Sequence, residues 1–187
     1  NNNFLFNSEG VVLISSLVIN NSFVNNSINH SRSRGIRTQL AIRNIFEGGM
    51  IYNSSGDAIL LSVSSIDNTF KNVGIAETNS SVFDLLLSGG NGNSFIDMPH
   101  IGNYSLPSAG SIVYFKNSQH GEIRFLQGIN GTGNNLTRDI QILNNSVIVE
   151  SGNNIGLNRS ANVTLYGIGE RGFATPSLLR DGLPCGN

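Results

Sequence analysis

Asn21-Ser22-Phe23, Asn44-Ile45-Phe46, Asn68-Thr69-Phe70 and Asn93-Ser94-Phe95 are four copies of one tripeptide, and their spacing decides the fold. The phenylalanines lie 23, 24 and 25 residues apart. A second apolar position follows each copy, at Ile28, Ile51, Ile75 and Ile101. A third apolar patch closes each unit: Ile36, Ala58-Ile59-Leu60, Val82-Phe83-Leu85 and Ile112-Val113-Tyr114. Three positions held in phase through four copies mark an internal repeat.

The period has a physical meaning. A coil of three short strands and three turns takes about 24 residues, and strands of successive coils then stack about 4.8 Å apart as parallel ladders. Like side chains fall on one another, so the pattern predicts an interior phenylalanine column and columns of Ile, Leu and Val. The asparagine two residues before each phenylalanine is expected to turn inward and bond its counterpart one coil away, as an asparagine ladder. The fold class expected is all-β: a single-stranded right-handed parallel β-helix of about six or seven coils over residues 1–169. Residues 170–187 leave the pattern and read as a C-terminal cap or a linker to a further module, with Thr175-Pro176 opening a short helical turn that Gly182 ends.

Past residue 115 the register loosens while the texture persists. Gly121 to Phe125, Asp139 to Leu143, Ser146 to Val149 and Asn162 to Tyr166 alternate apolar and polar residues. Asn144-Asn145-Ser146 echoes Asn20-Asn21-Ser22, and Ile142 to Leu165 is again 23 residues, which extends the coils. Asn130 to Asn135 reads as a protruding turn. Leucine-rich and ankyrin repeats would show leucine and helix signatures that this chain lacks.

Composition agrees with a turn-rich solenoid. Charged residues make up 12% of the chain, about half of the roughly 25% usual in globular domains. Asn, Ser and Gly supply the polarity instead, and Asn and Gly tolerate left-handed backbone at tight corners. Net charge is −1, and Arg32, Arg34, Arg37 and Arg43 form the one local basic cluster, read as a solvated edge. That excludes the basic stripe that nucleic-acid binding needs. The run Val11 to Ile19, broken by Ser15 and Ser16, is too short to span a bilayer and fits a buried strand. With Asn1 first and Asn187 last, the chain reads as a processed piece of something larger. The single cysteine, Cys185, has no partner within the chain and is a candidate for an intermolecular disulfide or a free thiol.

The phased Asn-x-Phe and the Ile-x-Asn-Asn-Ser pattern resemble the right-handed parallel β-helix proteins with NosD-like or CASH-type coils, abundant among archaeal secreted and surface proteins. Asn162-Val163-Thr164-Leu165-Tyr166-Gly167-Ile168 is similar to the junction that closes such helices before a further β-rich module. The resemblance implies architecture and a cell-surface setting. It implies no particular activity, because β-helices host lyases, hydrolases, adhesins and purely structural proteins.

Eleven Asn-x-Ser/Thr sequons begin at Asn20, Asn25, Asn29, Asn53, Asn79, Asn103, Asn130, Asn135, Asn144, Asn158 and Asn162. Chance in a chain of this composition gives roughly four or five. The N-glycosylation candidates are Asn53, Asn79, Asn103, Asn130, Asn135, Asn144 and Asn158; Asn20 and Asn162 adjoin strands and are expected to be buried. Solenoid turns favouring Asn-x-Ser for backbone reasons alone are the competing explanation. For carbohydrate cleavage, which needs two carboxylic acids flanking the scissile bond, the candidates are Asp57, Asp84 and Asp97. Asp57 and Asp84 are expected as stacked neighbours, and Gln119-His120-Gly121-Glu122-Ile123-Arg124 only faintly echoes a polygalacturonase pattern. His30, His100 and His120 fall at different phases, so no metal centre and no cofactor is expected. Tyr52, Tyr104, Tyr114 and Tyr166 are the aromatic candidates for sugar contact.

These observations favour a non-enzymatic structural protein of the cell surface or extracellular space: a stalk, sheath, S-layer or filament subunit. Its expected partners are further copies or neighbouring surface proteins, covalent glycans and, in the alternative reading, a polysaccharide bound or cleaved by the module or held by it as an adhesin.

Overall fold

The computed structural model describes residues 2–5, 7–79, 81–107, 111–152, 154–172 and 179–184. Thr175-Pro176 and Cys185 lie outside them. The first coil holds β1 (Asn3–Leu5), β2 (Glu9–Ile14) and β3 (Ser22–Val24); the second holds β4 (Ser27–Asn29), β5 (Arg34–Gln39) and β6 (Ile45–Glu47). The third holds β7 (Met50–Tyr52), β8 (Ile59–Leu61) and β9 (Thr69–Lys71), and the fourth β10 (Gly74–Ala76), β11 (Leu85–Leu87) and β12 (Asn93–Ile96). The fifth keeps only β13 (Tyr104–Leu106) and β14 (Val113–Asn117). Three parallel walls result: β1-β4-β7-β10, β2-β5-β8-β11-β13 and β3-β6-β9-β12-β14. The chain is an all-β parallel solenoid of about five turns.

The repeat sits where the spacing puts it. Phe23, Phe46, Phe70, Phe95 and Phe115 stack in one column with centroids 4.9, 4.9, 5.6 and 5.5 Å apart, close to the strand-to-strand distance itself. Ile28, Ile51 and Ile75 stack in the first wall. Val11, Ile36, Ile59, Leu85 and Tyr104 stack in the second. The asparagines form a continuous ladder: the backbone N–H and side-chain amide of Asn21 both donate to Oδ1 of Asn44, those of Asn44 to Asn68, and those of Asn68 to Asn93. Each inward amide so fills the backbone acceptors and donors that a tight corner leaves buried.

Why an asparagine belongs there follows from the backbone on either side. The residue before each ladder asparagine is left-handed: Asn20, Arg43, Asp67 and Gly92, at φ 57°, 55°, 54° and 73°. So is the residue two after each phenylalanine: Asn25, Gly48, Asn72 and Asp97, at φ 51°, 64°, 52° and 50°. Left-handed residues at both ends of the short third-wall strand bend the chain twice, and Asn, Asp and Gly bear that conformation at least cost. Gly49, at φ 83°, has a second reason, since a Cβ there would collide with the carbonyl of Asn26 in the coil before.

Parallel coiling stops at β14, so six or seven coils is corrected to about five. The reason lies in coil five, which is only 20 residues long between Phe95 and Phe115. Its second-wall residues are Tyr104-Ser105-Leu106, and Ile112-Val113-Tyr114, expected there, belongs instead to the third wall, with Val113 in register with Asn93. Valine cannot extend the ladder. The chain then reverses. β15 (Gly121–Phe125) runs antiparallel to β14, and β16 (Gly131–Gly133) antiparallel to β13. The middle of Asn130 to Asn135, Gly131–Gly133, is thus a paired strand rather than a protruding turn. The short helix α1 (Leu136–Asp139) follows, its first turn capped by Asn135 Oδ1 accepting from the Arg138 N–H at 2.8 Å. β17 (Ile140–Leu143) and β18 (Ser146–Val149) form a hairpin turning at Asn144-Asn145, with Asn145 left-handed. β19 (Ala161–Leu165) lies antiparallel to β15, so the 23-residue interval from Ile142 to Leu165 is a coincidence of spacing and not a coil. β20 (Leu179–Arg180) and β21 (Leu183–Pro184) pair around a turn in which Gly182 takes φ 76°.

Candidate functional site

The expected carboxylate pair does not form. Ala58, not Asp57, stands opposite Asp84, because the Ile59–Leu85 register places them one residue apart. Adjacent residues on an extended chain face opposite sides of a wall. Asp57 accordingly sits 3.7 Å from Arg34 and accepts the Phe83 N–H, in a chain of charges with Glu9 and Arg37. Asp84 is buried, taking bonds from the Thr78 hydroxyl and from the Gly102 N–H at 2.6 Å. Asp84 Oδ2 and His100 Nε2 lie 2.7 and 3.2 Å from where a Cβ on Gly102 would stand, so any larger residue there would displace the Asp84 carboxylate. Asp97 occupies a left-handed corner and binds the Ser118 N–H and hydroxyl, both at 2.6 Å. Each of the three carboxylates is therefore tied into the wall or a turn.

A cleft of about 380 Å³ opens between coil five and β17. Phe95, Met98, Phe115 and Ile142 line it together with Asp97 and Lys116. Its size is that of a small-molecule site, and Asn117, Thr137 and Gln141 also line it. His30 lies elsewhere, with Nε2 3.0 Å from the Asn53 amide. Among the described residues no group of three His, Cys, Asp or Glu is placed to hold a metal ion, and no helix is long and apolar enough to cross a membrane.

Two polar clusters that sequence reasoning missed lock the reversed segment to the coils. In the first, Glu122 accepts bonds from the hydroxyls of Tyr114 and Tyr166, the latter at 2.6 Å. Lys116 stands 4.0 Å from the same carboxylate and 5.4 Å from the centroid of the Tyr166 ring. The two tyrosine hydroxyls hold the Glu122 carboxyl below its ordinary range. Burial first, then the glutamate, pushes the Tyr114 phenol up. In the second cluster, fully buried Tyr104 donates to Asp139 at 2.7 Å and accepts from Asn154 at 2.8 Å. Burial, and next the bond to Asp139, raise its pKa to about 12. The one readable signal was Tyr114 and Glu122 flanking a tight reversal; the partner Tyr166 is 44 residues beyond Glu122.

The first cluster carries a pH prediction. Glu122 has a depressed pKa when folded, so its contribution is present above the ordinary carboxylate range, about 4.3, and is lost as pH falls through the folded value. Glu122→Gln should therefore melt lower than the parent at pH 7 by about 2–4 °C, what roughly 1 kcal/mol gives at this chain length. The gap between the two melting curves should close as pH falls below the ordinary carboxylate range and through the lowered folded value. A difference that persists unchanged in acid would show that the carboxylate charge is not what holds the clasp.

The sequon asparagines separate by exposure. Asn79, Asn144 and Asn158 are exposed, whereas Asn53, Asn103, Asn130 and Asn135 are half-buried. Asn79 Oδ1 accepts the Ser81 N–H at 2.9 Å in a local turn. Asn53 directs its amide at His30, and Asn103 directs its own at the Val82 carbonyl. Asn20 and Asn162, expected to be buried, are exposed: Asn20 is a corner residue, and Asn162 points outward from a terminal strand. No protein-family model matches the chain, and no curated protein or solved structure matches it either.

Proposed function

We propose that this chain is a rigid, N-glycosylated structural element of a cell-surface or extracellular assembly, in the manner of the archaeal β-helix proteins with NosD-like coils that its repeat resembles. The observation that carries the reading is where the polar chemistry goes. Carboxylates and tyrosines are consumed in holding coils and cap together, while the sequon asparagines Asn20, Asn25, Asn79, Asn144 and Asn158 stand exposed. A solenoid of this kind is a stiff spacer whose length scales with coil number, and surface glycans raise its solubility. Stalk, sheath, S-layer or filament are the settings that use such a part. Cys185 would then tie the chain covalently to a neighbour.

Intact-mass and peptide-level mass spectrometry of native material tests this. Asn79, Asn144 and Asn158, which are exposed, are expected to carry glycan at higher occupancy than the half-buried Asn53 and Asn103. An unmodified mass from the native source would remove the glycoprotein reading. The alternative of a carbohydrate-binding module or adhesin draws support only from the half-exposed Tyr114–Glu122–Tyr166 group. Retention on a polysaccharide panel, lost in Tyr166→Ala, would favour it.

A further inference from the structure

The two ends of the solenoid are built differently. At the start, β1, β2 and β3 are each the terminal strand of a wall. Phe4, Val18 and Phe23 are there only partly buried, whereas Ile28 and Phe46 one coil further on are 2% and 3% exposed. The ladder is open as well: Oδ1 of Asn44, Asn68 and Asn93 each accepts from the asparagine before it, and Oδ1 of Asn21 accepts from no described residue.

At the far end, the third wall finishes on β19. Two reversals, from β14 to β15 and from β15 to β19, return that strand to the direction of the coils. The register carries the phenylalanine column across both: Phe115 opposes Ile123, and Ile123 opposes Val163. Val163 is 50% exposed. Neither terminal strand has a charged side chain, in Ser22–Val24 or in Ala161–Leu165. Terminal strands that are meant to stay unpaired usually carry Lys, Pro or a bulge. Both ends of this wall lack that protection.

We infer that a second copy of this chain docks head to tail, its β3 edge on the β19 edge of the first, extending the third wall as a parallel ladder with Phe23 over Val163. The inference rests on the structural reading above and names the surface through which the assembly grows. The contact joins two different surfaces, so it does not close on itself, and repeated it gives a filament. Strand direction, an uncovered apolar column and absence of charge match here at once: the second wall ends on the reversed strand β16, and the first, although its β10 runs parallel and uncharged, ends on Ile75, which is only 7% exposed.

Sedimentation velocity over a rising concentration series, on the parent chain and on Val24→Lys and Val163→Lys, tests it. The parent should give a ladder of oligomers, and each variant should weaken association at least tenfold. An equimolar mixture of the two variants should give dimers and nothing longer, because it retains one intact β3 edge and one intact β19 edge. Far-UV circular dichroism must match the parent; if one variant misfolds, Ser22→Lys or Thr164→Lys takes its place. A parent that stays monomeric throughout, or closes as a dimer, overturns the proposal. Oligomers that persist in both variants overturn it too, but leave the structural reading standing, with assembly through another face. Polysaccharide cleavage by a monomeric chain would instead overturn that broader reading.

Discussion

Asn68→Ala is expected to lower the stability of the fold by about 3–5 kcal/mol. Asn68 is fully buried and makes four bonds with its side chain. Its Oδ1 takes the N–H and the amide of Asn44, and its Nδ2 donates to the Ala41 carbonyl and to Asn93 Oδ1. Net bonds of about 1 kcal/mol each account for most of the loss, and the Asn44 N–H, left buried without an acceptor, supplies the rest. Water cannot repair it, because Asn44 is itself fully buried. Asn21→Ala serves as the comparison. Asn21 is exposed at the open end and its Oδ1 accepts from no described residue, so its loss should cost about 1 kcal/mol or less. Equilibrium denaturation of the two variants decides the matter. Equal losses would mean that the ladder is an ornament of the corners and not their support.

Phe70→Ala is the matching apolar case, with an expected loss of about 3–5 kcal/mol. Phe70 is fully buried in mid-column, stacked on Phe46 at 4.9 Å and on Phe95 at 5.6 Å. Each coil of a solenoid touches only its neighbours, so the cavity weakens two interfaces together, and the regular spacing of the walls resists collapse around it. Phe70→Leu should recover most of the loss, since it refills the volume. Phe23→Ala should cost about half as much, because Phe23 is partly exposed and has one stacked neighbour. Hydrogen exchange should locate the damage in coils two to four. Protection lost uniformly along the chain would contradict a nearest-neighbour solenoid.

The candidate site was far less legible than the fold. A column of like residues announces itself in sequence because stacking demands the same residue at each level. Clusters such as Tyr104–Asp139–Asn154 or Glu122 with Tyr166 depend on bonds between single residues 35, 50 and 44 positions apart, with no repetition to mark them. The same limit explains Asp57 and Asp84. Both lie near the second wall in consecutive coils, and only the register shows that one residue of offset separates an outward carboxylate from a buried one. Left-handed Arg43, Leu40 and Glu77 were equally unreadable, since nothing in their chemistry asks for that backbone.

By itself, then, the amino-acid order determined that coils of about 24 residues wind in parallel around a phenylalanine column and an asparagine ladder. Those features follow from identity at a fixed interval, which a linear string displays directly. Where the coiling stops, how the far end is closed and which carboxylates share a side were decided only in three dimensions. The deciding events are a coil shortened to 20 residues and a valine in the asparagine position. From there antiparallel pairing takes over, and its contacts depend on register between distant segments. A one-residue shift in that register reverses which face every side chain serves.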